Sequence, residues 1–554
     1  MTILRMFLLT CSVLCTGGTW TWAQMSSTPV DSLLDSEGLP RFIRSVHVDR
    51  SDVFDPRHQD WFFGAAVLNA LHVITREYIV TDELLFHPGD EVDPDQLLET
   101  ERVLRTSRLF SSVRVQPVLV GEDSVDIHVQ TQDQWSLRPD LLFGTGGGVT
   151  NIGLRVSELN LFGTGTNVMV QGLYRTENSI GWEGAVQISQ RRLFRTQLDA
   201  TLRVQATRFR TDQLLEIGQP YRNLTTPWAF SLRADNAFGS DFAYRPTGTE
   251  LLPFHQREIR GWLSQAYGSP DRLFMSASVR LSDVQRAIPE SRQAFDNSGH
   301  VLVGFGSIRQ EFARSAFLDG YETEDVMEGG WGAVTIGRVF ASAPGGQQMW
   351  YVGGTGEQSW FPSDNLYLFG SVSAGSGFAQ GAQARYTYLE VQGLSHWRLS
   401  DHVVLAARVR TQTSWNWNAY RQLVLDFESG LRGYNANALA GDNRAVANVE
   451  WRWFPQWRWW VLGFSAAAFY DVGTVWNQGD PLHRTRLRSA IGLGFRLHNL
   501  KASGGDAIFR FDFAYNLEDN SFSGLIFSTN QLFSAFARHQ YRAPDLLGYD
   551  LDVR

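Results

Sequence analysis

QLDATLRVQA, Gln197–Ala206, places Leu198, Ala200, Leu202, Val204 and Ala206 in one phase and Gln197, Asp199, Thr201, Arg203 and Gln205 in the other. Successive side chains of a β-strand point to opposite faces, so this is a strand with one apolar and one charged side. The alternation returns in FRFDFAYNL, where Phe509, Phe511, Phe513 and Tyr515 oppose Arg510, Asp512 and Ala514. It recurs over 230–235, 274–281, 403–415 and 449–453. A soluble sandwich alternates too, but soluble strands average about five or six residues. Runs of about ten suit tilted strands that cross a bilayer with apolar side chains outward and polar ones inward. We expect a mainly β fold, an antiparallel transmembrane barrel of about 16 strands over 135–533, with 347–360 read as loop. The cylinder must close, because an open sheet edge in lipid leaves backbone groups unpaired.

Composition agrees with an exported β protein. The chain of 554 residues holds 51 Gly, 36 Phe and 19 Trp, yet beyond residue 24 it has no apolar run long enough for a transmembrane helix. Residues 1–23 read as a secretory signal peptide: Arg5, an apolar run from Met6 to Cys15, then Thr21-Trp22-Ala23 before Gln24. Neither Cys11 nor Cys15 has lipoprotein-type neighbours, so processing removes both cysteines and excludes a disulfide framework. The net charge of −9 is spread along the chain, and no basic run points to nucleic acid.

Residues 24–38 read as a linker, and 39–134 mix helix and strand. Phe42–Val48 alternates, Thr75–Phe86 and Asp93–Arg105 carry apolar residues at helical spacing, and Val113–Val120 and Ser124–Thr131 read as strands around Gly-Glu-Asp. Asp93 suits the N-cap of the second helix and Pro94 its first position. The order β-α-α-β-β makes a small domain with an open sheet edge. TREYIVTDELLFHPGDEVDPDQLLETERVLRTSRLFSSVRV, Thr75–Val115, resembles a polypeptide-transport-associated (POTRA) domain, interrupted by an insertion over 51–74.

Polar residues inside the barrel follow from the same alternation. If Val449, Trp451 and Trp453 face lipid, Asn448, Glu450 and Arg452 face the lumen. In AAAFYDVGTVW, Ala466–Trp476, Phe469, Asp471 and Gly473 then also point inward. An arginine folded in from SGLRGYNANALAGDN, Ser429–Asn443, could satisfy both carboxylates with its planar fork.

LRGY (Leu431–Tyr434), ANVEW (Ala447–Trp451) and FYDVG (Phe469–Gly473) resemble the BamA/TamA bacterial surface antigen superfamily of outer-membrane assembly factors. The resemblance implies a structural lumen lock in which Arg432 of an Arg432-Gly433-Tyr434 loop tip docks on Asp471 and Glu450, beside Gly473. ELNLFGTGTNVMV, Glu158–Val170, resembles the family's early hairpin, with Asn160, Gly163 and Gly165 in its turn. FSGLIFSTNQLF resembles its last strand, which would place Phe533 as the terminal aromatic and leave 534–554 as a tail. Implied partners are the outer-membrane lipid bilayer, unfolded outer-membrane or secreted polypeptides, and periplasmic chaperones or accessory lipoproteins. The implied role is non-enzymatic insertion or translocation, without a cofactor, and the N-terminal domain would lie in the periplasm. The alternative is a passive porin or a dedicated secretion pore.

Other patterns point away from chemistry. FGTGGGVT, Phe143–Thr150, lacks the Gly-Lys-Ser/Thr of a phosphate loop and reads as a turn or a weak strand. The 12 histidines lack zincin spacing, and no serine sits in a nucleophile elbow. Trp451, Trp453, Trp457, Trp459 and Trp460 read as an interfacial girdle.

Overall fold

A computed structural model describes residues 41–549 except 55–64, 121–122, 224–225, 246, 270, 317, 319–320, 322, 481–484, 501–507, 530 and 535–538. The expected signal peptide and linker lie outside the described residues. The chain forms two compact units, one of residues up to 138 with 158–167 and the other of 139–157 with 168–554.

The first unit contains β1 (Phe42–Ser51), α1 (Ala65–Leu71), α2 (Glu77–Thr81), α3 (Pro94–Thr106), β2 (Phe110–Leu119) and β3 (Ser124–Asp133). The sheet order is β1-β3-β2, with β1 parallel and β2 antiparallel to β3. Asp93 caps α3 through a hydrogen bond from the Asp95 amide at 2.9 Å, and Pro94 opens the helix. Its buried face, Leu97, Val103 and Leu104, packs with Val113, Val115, Ile127 and Val129. The helix expected over 75–86 is confined to α2, because the chain turns after Thr81. The Leu85 amide then bonds Thr100 Oγ1 on α3, and Phe86 enters the core. The insertion over 51–74 contributes α1.

The strands from Leu137–Gly146 to Ser521–Ser528 form a closed antiparallel barrel of 20 strands among the described residues, not about 16. Strands reach 20 residues at Gly248–Tyr267. The undercount has a physical cause. Strands such as Met349–Ser363 (MWYVGGTGEQSWFPS) and Leu366–Phe378 (LYLFGSVSAGSGF) place Gly and Ser where hydropathy would alternate, so the expected loop over 347–360 is mostly strand.

Elsewhere the pattern is sharp. Along Arg272–Arg286, Phe274, Ser276, Ser278 and Arg280 are buried, while Leu273, Met275, Val279 and Leu281 are exposed. An outer face of this composition matches hydrocarbon rather than water. Two segments fill the interior. One is 416–442, which contains the small hairpin of Leu423–Leu425 and Leu439–Gly441. The other follows the last strand.

That second segment corrects the expected terminus. The last strand ends at Ser528, and Phe533 lies beyond it, only 7% exposed, among Leu318, Val326, Tyr367, Leu394 and Ala406. Its ring centroid lies 5.0 Å from the Arg452 guanidinium, and its carbonyl accepts from Arg452 Nη2 at 3.0 Å. These inward partners hold Phe533 off the outer wall.

A candidate functional site in the barrel lumen

The Arg-Gly-Tyr turn is built by Asp426, a buried residue with no signal in the alternation. Its carboxylate accepts from the amides of Glu428 (3.1 Å), Ser429 (3.0 Å) and Asn437 (3.0 Å), and its carbonyl from those of Gly430 (3.1 Å) and Leu431 (2.8 Å). The chain so folded presents Arg432 to the strands that follow it. Tyr434 packs with Leu425, Leu431 and Val446. Gly433 lies so close to the wall that a Cβ there would sit 2.5 Å from Ala490 Cβ. At Gly473 a Cβ would meet Leu425 Cδ2 at 2.7 Å, so both glycines permit close approach.

Arg432 is fully buried. Its Nε reaches Asp471 Oδ2 at 2.8 Å and Nη2 reaches Asp471 Oδ1 at 2.8 Å, a two-point fork, while its amide reaches Oδ2 at 3.2 Å. Nη1 donates to Glu450 and reaches Asp512 Oδ2 at 3.3 Å. The guanidinium also lies 3.5 Å from the Phe469 ring centroid. Asn448, the register partner of Asp471, adds Nδ2 to Asp471 Oδ1 at 2.8 Å.

The cluster extends beyond these residues. Arg452 Nε binds Glu450 at 2.8 Å, Arg496 Nη1 binds Asp512 at 2.6 Å, and Arg510 Nε lies 3.4 Å from Asp512. Three buried carboxylates therefore face four guanidinium groups. Alternation around Phe509–Phe513 already placed Arg510 and Asp512 on one face, and the pattern around Glu450 did the same for Arg452. Nothing local linked Arg496 to them, because its partner lies one strand away. Chemically the cluster offers no free nucleophile: its acids are all engaged, and it joins a loop to strands Asn443–Trp453, Leu462–Trp476, Arg488–Asn499 and Ile508–Asn516. Ser523 Oγ, on the last strand, donates to the Arg432 carbonyl at 3.3 Å.

The last strand is also one side of the seam. Among the described residues it meets the first strand, Leu137–Gly146, through one register pair, Phe527 with Thr145, whereas it pairs with Ile508–Asn516 from Arg510–Ser528 to Asn516–Ser521. The rings of Phe143 and Phe527 lie 5.2 Å apart across it. The expected weak glycine region is a turn: Gly147 and Gly148, with φ of +53° and +80°, join the first strand to Val149–Leu161.

The turn residues Asn160, Gly163 and Gly165 belong to the first unit. Asn160 Oδ1 accepts from the Gly165 amide at 2.8 Å, and its Nδ2 donates to Thr75 Oγ1 at 2.8 Å. The Gly163 carbonyl accepts from the Arg76 amide at 2.9 Å. Thr75 in turn donates from N (2.7 Å) and Oγ1 (2.8 Å) to Asp133 Oδ2. Burial raises the Asp133 carboxyl above its ordinary range, and the two Thr75 bonds offset part of that. On the same sheet, the Arg44 guanidinium and the Ser45 hydroxyl hold Asp126 down at about 2.

No group of three or more His, Cys, Asp or Glu side chains among the described residues is arranged to hold a metal ion. No family model matches the chain. No curated protein matches its sequence. Among solved structures it is similar to BamA from Haemophilus ducreyi lacking POTRA domains 1-3, at 11% identity over 88% of this chain and 84% of that one, with a TM-score of 0.42. It is similar to CdiB from Escherichia coli, at 12% identity over 91% and 92% and a TM-score of 0.42. It is also similar to the alcaligin outer membrane receptor FauA from Bordetella pertussis, at 10% identity over 72% of each chain and a TM-score of 0.35. Scores this low leave function to be argued from the residues.

Proposed function

We propose that this chain is a non-enzymatic outer-membrane factor that inserts or translocates polypeptides. The observation that carries the reading is the unequal pairing of the barrel wall. Among the described residues the seam pairs through Phe527 and Thr145, while the strands on one side of it are tied together by the Arg432 cluster. A wall that is firm beside a weak junction opens at the junction, and a strand edge exposed there offers unpaired backbone to an incoming chain. Sequence-tolerant capture follows, since backbone hydrogen bonds do not read side chains. The first unit suits the same task in a POTRA-like role: β1 and β2 are both edges of its sheet, and Val118 and Leu119 at the end of β2 are exposed. The passive porin reading is the less favoured, because segments of the chain fill the lumen.

The test is a reversible clamp. Thr145→Cys with Phe527→Cys places two thiols at the register pair, where antiparallel partners approach to about 4.5–5.5 Å between Cα atoms, within disulfide range. Oxidation is expected to lower the abundance of other outer-membrane proteins as depletion of the chain does, and reduction to restore it. Normal abundance with the seam fully crosslinked rejects the reading.

A further inference from the structure

Residues 539–549, HQYRAPDLLGY, run through the barrel interior without regular secondary structure, their backbone held at three places by the wall and at a fourth by the inner 416–442 segment. Gln310 Nε2 donates to the His539 carbonyl at 2.6 Å, and Ser278 Oγ to the Pro544 carbonyl at 2.7 Å. The Leu547 amide donates to Tyr351 Oη at 2.9 Å, and Arg421 donates to the Gly548 carbonyl.

Side chains add selectivity. The buried His539 ring lies 2.7 Å from Ser359 Oγ and 3.0 Å from Glu357 Oε1, and Arg542 reaches the other oxygen of Glu357 at 2.8 Å. Tyr541 inserts between aromatic rings, 5.0 Å from Phe274 and 5.3 Å from both Tyr221 and Trp262, and donates to Ser276 Oγ at 2.9 Å. Leu546 is buried with Tyr351, Tyr388 and Trp417. The wall is cut to match. Where Pro544 passes, position 304 is glycine, and a Cβ there would fall 2.6 Å from Pro544 Cγ.

Any buried segment has to pair its backbone groups, but filler needs neither a charged pocket for His539 and Arg542, nor an aromatic one for Tyr541, nor a glycine opposite Pro544. Donors and acceptors placed along an irregular segment, with one aromatic and one charged pocket, form a peptide-recognition track. We propose that the lumen is a binding site for a peptide segment and that residues 539–549 are its resident ligand, closing the barrel until displaced. That an unfolded polypeptide is what displaces it rests on the proposed function; that the track exists does not.

The test compares the full chain with a chain ending at Ser534 in planar lipid bilayers. The full chain is expected to stay at a low-conductance level and the truncated one to hold a level several-fold higher. A synthetic peptide of sequence HQYRAPDLLGY should return the truncated barrel to the low level, and the same peptide with His539→Ala and Tyr541→Ala should not. A truncated barrel that keeps heat-resistant mobility and the full chain's conductance overturns the closure, and equal block by a scrambled peptide overturns the track. If truncation prevents folding, amide hydrogen exchange decides. The Leu547 amide is expected to be protected in the unmodified chain and to exchange several-fold faster in Gly304→Val. Exchange of residues 539–549 at the rate of the free peptide overturns the proposal. A truncated barrel that conducts and is re-blocked by peptide, in cells whose outer-membrane protein levels stay normal when the chain is depleted, upholds the track while rejecting the proposed function.

Discussion

Arg432 and Asp471 are joined at two points, Nε to Oδ2 and Nη2 to Oδ1, each at 2.8 Å, with neither side chain reached by solvent. Such a pair does not have to stabilise relative to an apolar substitute, but breaking it strands a buried charge. Arg432→Ala leaves Asp471 with Asn448 alone among the side-chain donors above, so the expected loss is about 3–5 kcal/mol where the site is dry. Arg432→Lys keeps the charge and loses the fork, so it should recover only part. Heat-resistant mobility of the folded barrel and the denaturant midpoint report the loss. Wild-type values for Arg432→Ala remove the lock from the account.

Asp512 gives a second prediction. It joins Arg432 (3.3 Å), Arg496 (2.6 Å) and Arg510 (3.4 Å), so Asp512→Asn leaves two carboxylates facing the four guanidinium groups. Its effect is expected to match that of Asp471→Asn. Because the groups share one network, the double variant Arg432→Ala/Asp512→Asn should fall short of the sum of the single effects by about 0.5–3 kcal/mol. Additive effects in a denaturation cycle would show that Asp512 belongs to a separate pair.

How far the sequence reaches is visible in these residues. Glu450 and Asp471 sit on strands whose outer faces are Trp or Tyr, so alternation assigned them inward, and the structure brings both to Arg432. Asp512 carried the same signal, but a neighbour across the sheet is not visible in a one-dimensional pattern. Arg496 and Asp426 depend on register and turn geometry, which the period of two does not encode. The strand count failed where Gly and Ser interrupted hydropathy, as in Met349–Ser363 and Leu366–Phe378. Phe533 failed for another reason: an aromatic residue near the end of an apolar run reads the same on a wall as inside it.

Gly163 and Gly181 separate backbone strain from crowding, since both have φ of +71°. At Gly181 a Cβ would meet nothing within 4 Å, whereas at Gly163 it would lie 2.6 Å from the Ile74 carbonyl oxygen. Gly181→Ala is expected to lose about 1–2 kcal/mol, the left-handed penalty alone. Gly163→Ala should lose more, because a carbonyl on another segment has to move and the Gly163–Arg76 bond moves with it. Thermal unfolding of both variants checks the order, and equal losses would show that the Ile74 chain yields freely.

Asp126 and Asp133 predict opposite pH responses in the first unit. Asp126 is held at about 2 by Arg44 and Ser45, so its contribution is present above the unfolded carboxylate value and is lost as pH falls towards about 2. Asp133 is raised by burial, so its contribution is present below the unfolded value and is lost as pH rises through the raised one. At neutral pH, Asp126→Asn should therefore destabilise the unit. Asp133→Asn should be neutral or stabilising, because an amide oxygen can still accept both Thr75 bonds without a buried charge. Asp133→Ala orphans the Thr75 amide and hydroxyl, and about 1–3 kcal/mol should be lost. Hydrogen exchange at the Thr75 amide, measured at neutral pH and again near pH 3, reads both effects. Asparagine and alanine at position 133 behaving alike would show that the two bonds from Thr75 do not hold this corner.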